Sequence, residues 1–161
     1  MFKKIAALTL IVASFAAPAY AVMGKQGEIL KVSKTKNILS GDKLTITGQH
    51  YDETIGIYVA MCVIVPAGQL PTPCGGGADM TGGSGASAWI SSNPPTYGVG
   101  LAKPYLPGGR FSVTLKISPI IHDQAKIIDC RKVACAIYTR ADHTRGDDRS
   151  YDLAVPLKFK K

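Results

Sequence analysis

The sequence has no apolar stretch approaching the roughly 20 residues that a membrane span needs. It also has almost no helical periodicity, a single tryptophan, and eleven acidic residues against nineteen basic ones. The apolar segment at residues 5–17 is too short to cross a bilayer. With Lys3 and Lys4 before it and Ala19-Tyr20-Ala21 after it, the segment reads as a secretion signal cut after Ala21. No cysteine stands just after the cut, so a lipoprotein anchor is not indicated. Losing Lys3 and Lys4 leaves seventeen basic residues against eleven acidic ones, a net charge of +6. The basic residues are scattered rather than set in a stripe between aromatics, so direct nucleic-acid binding is not expected. Affinity for an anionic cell-surface polymer or an envelope protein fits the charge equally well. Cysteine is scarce too: Cys62, Cys74, Cys130 and Cys135 are all there are. Behind an export signal they read as two disulfides worth about 2–4 kcal/mol each, which leaves no thiol for catalysis or metal binding. Four cysteines allow three connectivities. Pairing Cys62 with Cys74 and Cys130 with Cys135 is expected because each couple lies in or beside one local segment.

What the sequence does have is strand signal. The exported part, 22–161, is the size of one domain. Short alternations fall at 28–33, at 43–47, where Leu44 and Ile46 oppose three polar residues, and at 110–117, with Phe111, Val113, Leu115 and Ile117 inward. The longest apolar run, 55–65, is rich in β-branched residues and reads as a central strand. Successive side chains alternate, so Ile57, Val59, Met61 and Val63 share one face while Tyr58, Ala60, Cys62 and Ile64 share the other. Strands are also expected at 134–140 and 151–159. Regular strand spacing with turn punctuation points to an antiparallel sandwich. Between 66 and 109 glycine and proline dominate, and an elaborated loop region is expected there. Trp89 in that region sits in a short strand-like stretch. It reads as a cap on one end of the core, with stacking on a ligand as the alternative.

No enzyme is expected. Gly83-Ser84-Gly85 lacks the full nucleophile-elbow pattern, and His122-Asp123 after Pro119 reads as a surface turn. Asp142, His143, Asp147 and Asp148 match no metal-ligand frame, and three arginines compete for their carboxylates, so 140–149 reads as a solvated turn with internal ion pairs. Arg145-Gly146-Asp147 spells an adhesion tripeptide, but three residues match by chance too often to carry a function.

Several stretches taken in order resemble one family: Gly41-Asp42-x-Leu44-x-Ile46-x-Gly48-x-x-Tyr51; Ile57-Tyr58-Val59-x-x-Cys62; Pro73-Cys74; Asp129-Cys130-x-x-x-x-Cys135; and Leu153-Ala154-Val155-Pro156-Leu157-x-Phe159. Together they resemble the neocarzinostatin family of secreted bacterial Ig-like proteins. The resemblance implies an all-β fold: a seven-stranded antiparallel Ig-like β-sandwich, here with a Gly/Pro-rich insertion at 75–109 and two local disulfides beside a cleft. It also implies a small apolar ligand. In the carriers of that family the ligand is an enediyne chromophore that itself acts on DNA. Carried over by position, the cleft residues are Tyr58, Ala60, Cys62, Ile64, Ala136, Tyr138 and Arg140, with 141–150 as one rim. Where the carriers keep small residues and an acidic surface, this chain has the bulky Tyr138 and a basic surface. The expected function is therefore a non-enzymatic, secreted or envelope-associated domain that needs no cofactor and binds a small apolar ligand. The alternatives are an enediyne-type apoprotein associating with DNA through its ligand, and a structural or adhesive envelope module.

Overall fold

The computed structural model describes residues 20–76, 83–123 and 126–160. Ten strands run through them: β1 Tyr20–Met23, β2 Ile29–Val32, β3 Lys43–Gln49, β4 Ile57–Val63, β5 Ser87–Ile90, β6 Phe111–Lys116, β7 Ile120–Asp123, β8 Lys126–Asp129, β9 Cys135–Ala141 and β10 Leu153–Leu157. Every strand pairing is antiparallel. One four-stranded sheet has the order β1-β2-β3-β6, the other β10-β9-β4-β5, and β7-β8 forms a separate ribbon. No helix among the described residues is long and apolar enough to cross a membrane.

The alternation read in the sequence sets which faces meet. Along β6, Phe111, Val113 and Leu115 are buried and Ser112, Thr114 and Lys116 are exposed, as in a sheet with one face on a core and one in water. Leu30, Val32, Leu44 and Ile46 of the same sheet meet Ile57, Val59, Met61, Ile137, Leu153 and Val155 of the other in one apolar layer. Each aliphatic side chain fully buried there contributes about 1.5–3 kcal/mol relative to exposure. A polar chain crosses this layer without loose ends. The buried Thr139 hydroxyl donates to the Tyr151 carbonyl at 2.9 Å, and it lies 3.1 Å from the Tyr51 hydroxyl. At Gly109 the backbone has φ +61°, and a Cβ there would lie 1.8 Å from the Tyr51 carbonyl oxygen. Only glycine fits where the turn before β6 closes on Tyr51.

Among the described residues the two facing sheets hold eight strands and the ribbon two more, where a seven-stranded sandwich was expected. The first strand was hidden because Tyr20 and Ala21 read as part of a cleavage signal; both pair across β1–β2, with Val32 and Lys31. The β7-β8 ribbon was hidden because His122-Asp123 read as a surface turn. Instead His122 pairs with Ile127 and Asp123 with Lys126 in an antiparallel hairpin. The 66–109 region holds β5 and a 3-10 turn at Thr96–Gly98, so the Trp89 stretch is indeed a strand. Both expected disulfides are present, Cys62–Cys74 and Cys130–Cys135, and no cysteine is free.

Candidate functional site

The strand β4 is covered on both faces, which an outer sheet face in water would not require. Its second face carries Tyr58, Ala60 and Cys62, opposite Arg140, Tyr138 and Ala136 of β9 in register. On the other side Tyr58 faces Trp89 of β5. The segment that returns to Cys74 folds back over this face, held by the Cys62–Cys74 bond and by Gly75 N–H donating to the Met61 carbonyl at 2.7 Å. Between this loop, the 97–103 segment and the β7-β8 ribbon lies a cleft of about 770 Å³. Tyr58, Ala60 and Trp89 line it from the sheet, Pro71–Cys74 from the disulfide loop, Tyr97 and Lys103 from the insertion, and His122 and Asp123 from the ribbon.

Of the residues expected at the site, Tyr58, Ala60 and Arg140 line this cleft. Ala136 and Tyr138 do not. They are buried with Ala60 and Cys62 in a small cluster against Cys74 and Ala154, beneath the disulfide loop and beside the cleft. Burial pushes the Tyr138 phenol up, and a hydrogen bond with the Val65 backbone partly offsets that. Ile64 lies past the end of β4, 37% exposed, outside the lining.

Trp89 does not cap the inter-sheet core. It lies half-buried on the outer face within an aromatic group of Tyr58, Tyr97 and His143, with ring centroids 5.9 Å, 6.4 Å and 5.2 Å from its own. Its indole N–H donates to Asp142 Oδ2 at 2.9 Å. Two glycines make this packing possible. A Cβ on Gly98 would lie 2.4 Å from a Trp89 ring carbon, and one on Gly56 would lie 1.9 Å from Asp142 Oδ2. His143 is held between two phenols, its Nδ1 against the Tyr58 hydroxyl and its Nε2 against the Tyr97 hydroxyl. An imidazole nitrogen donates when it carries a proton and accepts when it does not, so the role of each phenol follows from the tautomer. Burial and the nearby Asp142 charge push the Tyr58 phenol upward.

The rim at 141–150 is not stitched by internal ion pairs. Asp142 Oδ1 accepts from the Thr144 N–H and hydroxyl, and Asp148 Oδ1 accepts from the Ser150 N–H and hydroxyl. Carboxylates in tight turns bond the backbone two residues on more readily than a distant guanidinium, and this closes the turn. Arg149 donates to the Gly146 carbonyl at 2.7 Å within the turn and pairs with Asp152 at 3.3 Å just beyond it. Burial pushes the Asp152 carboxyl up to about 6, which the Arg149 and Arg140 charges only partly oppose. Arg140 itself lies over the Tyr58 ring, 5.5 Å from its centroid.

Tyr97 and Lys103 line the cleft without having been expected there, and His143, inside the expected rim at 141–150, was not expected to join its aromatic group. Tyr97 and His143 meet across 46 residues of sequence, and Tyr58 and His143 across 85, so no local pattern could pair them.

No family model matches the chain, and no curated protein matches it. Among solved structures the fold is similar to macromomycin, with a TM-score of 0.54 at 13% identity over 83% of this chain and 100% of that one. Apokedarcidin gives 0.49 at 12% identity over 88% of this chain and 98% of that one. At 13% identity the macromomycin likeness is one of fold.

Proposed function

We propose that this chain is an exported, non-enzymatic domain that holds a small, planar, largely apolar molecule in the cleft between the disulfide loop and the 97–103 segment. The observation that carries this reading is the aromatic shelf of Tyr58, Trp89 and Tyr97 along an open cleft of about 770 Å³. That volume lies within the range of small-molecule sites, which are largely apolar with a few placed polar groups. Supporting the exported state are four cysteines all engaged in disulfides, bonds that persist in oxidising compartments.

A narrower reading makes the bound molecule an enediyne-type chromophore and the chain its apoprotein, with DNA association through the ligand alone. The fold likeness to macromomycin over the whole of that chain favours it. Mass spectrometry of small molecules extracted from protein purified from its native source tests both readings. A polycyclic aromatic compound near one per chain is the expected result, and an enediyne mass would select the narrower one. An empty extract, together with no uptake of polycyclic aromatics by the purified protein, would leave an envelope module as the function.

A further inference from the structure

We infer that the molecule held in the cleft is an aromatic acid, its ring on the Trp89–Tyr97 side and its carboxylate on Arg140. This rests on the ligand-binding reading above and specifies the ligand's charge.

The argument begins from Arg140. Its guanidinium carries five N–H donors in a planar fork that matches a carboxylate bidentately. One face of the fork is used on the Tyr58 ring. Among the described residues no ion pair or hydrogen bond occupies its donors. Of the nearby carboxylates, Asp142 bonds Trp89 and Thr144, and Asp152 pairs with Arg149 through one oxygen while its charge also acts on Arg140 at longer range. Arg140 thus lines the cleft as a half-buried cation, with a second cation, Arg149, close enough to lower its basicity further after burial has done so. The counter-charge that acts on Arg140, Asp152, forms no ion pair with it and is shared with Arg149, so an anion brought by the ligand offsets the cost of the half-buried cation. The rest of the lining agrees in sign. Lys103 on the insertion adds a second positive group, and among the described lining residues Asp123 on the ribbon is the one acidic side chain. The stacked Tyr58 beneath Arg140 and the Trp89 ring beside it place a π surface next to the fork, so one rigid molecule with a ring and an acidic group reaches both.

The experiment uses two probes that share one ring system, anthracene-9-carboxylate and 9-anthracenemethanol. Each is titrated by calorimetry and by emission of Trp89 into the full chain with both disulfides formed. The carboxylate is expected to bind about ten- to a hundredfold tighter than the alcohol, the range a charge-assisted hydrogen bond provides. Arg140→Gln should bring the two probes to within about threefold of each other, and Arg140→Lys, which keeps the charge without the fork, should fall between. A further check needs no variant: the carboxylate's affinity should weaken between about 0.05 and 0.5 M salt while the alcohol's stays level. Equal binding of the two probes by the unmodified chain, or an acid preference that survives in a folded Arg140→Gln, would overturn the inference and leave the cleft as a neutral aromatic site. If neither probe binds, the ligand-binding reading fails, and this inference with it.

Discussion

Tyr138 and Asp152 are the two residues whose surroundings make the sharpest demands. Tyr138 is buried under the Cys62–Cys74 loop against Ala60 and Cys74, which themselves line the cleft. Removing its ring should extend the cleft beneath the loop, at a cost of about 3 kcal/mol or more for an emptied aromatic site. Tyr138→Ala is therefore expected to melt at a lower temperature yet bind ring systems longer than anthracene that the unmodified chain rejects. Unchanged ligand size limits in a folded variant would show that the ring does not bound the site. Asp152 has an ordinary carboxyl value of 3.8 raised to about 6 in the fold. Above about 6 the group is ionised in both folded and unfolded chains, and below about 4 it is protonated in both. Between these limits the folded chain binds a proton that the unfolded chain does not. Stability therefore rises as pH falls through that window, by on the order of 1–3 kcal/mol. Asp42, Asp52, Asp129 and Asp148 are shifted downward and work in the opposite sense at lower pH. Urea titrations at pH 7, 5.5 and 4.5 should show the wild type gaining on Asp152→Asn as pH falls, and a constant difference would contradict the shift. At this scale the sequence was legible where a side chain follows strand alternation, as for Tyr58, Ala60 and Arg140. It was not legible for His143, whose partners are set by a crossing of distant loops.

Among the elements, β4 was read most accurately, because its β-branched run and the alternation of Ile57, Val59 and Met61 against Tyr58, Ala60 and Cys62 are local properties. The β7-β8 ribbon was missed because Pro119 and the polar His122-Asp123 pair look like loop chemistry when the partner strand is not known. The 97–103 segment carries no periodicity at all; its position depends on Gly98 lying against the Trp89 ring. Gly98→Ala should push this segment away from Trp89, because a Cβ 2.4 Å from a ring carbon cannot be accommodated without a shift. The expected readout is a red shift of Trp89 emission and weaker binding of aromatic probes, with the sandwich core intact by circular dichroism. Unchanged emission and affinity would mean that the segment does not shape the cleft. The disulfide loop was placed correctly by adjacency of its cysteines, but its role in covering the outer face of β4 could not be read from spacing.

For the whole molecule, strand alternation repeated over many segments and two local cysteine couples indicated an all-β chain with two disulfides, and the two facing sheets follow from that alternation. The cleft was expected only through the family resemblance, since it is assembled from β4, β5, β9, a ribbon and two loops. The expected cut after Ala21 would leave Val22 and Met23 of β1 as the first residues of the edge strand. N-terminal sequencing of exported material should begin at Val22, and an intact Met1 would contradict export by this route. The central claim, that the covered face of the second sheet is a binding site, is tested most directly by NMR chemical-shift mapping of the folded chain titrated with neutral 9-anthracenemethanol. Shifts should concentrate at Tyr58, Ala60, Ser87, Trp89 and Tyr97 and leave Lys31, Thr45 and Ser112 on the first sheet unmoved. Shifts spread over the first sheet beyond Thr114, which also lines the cleft, or gathered on that sheet, would contradict it.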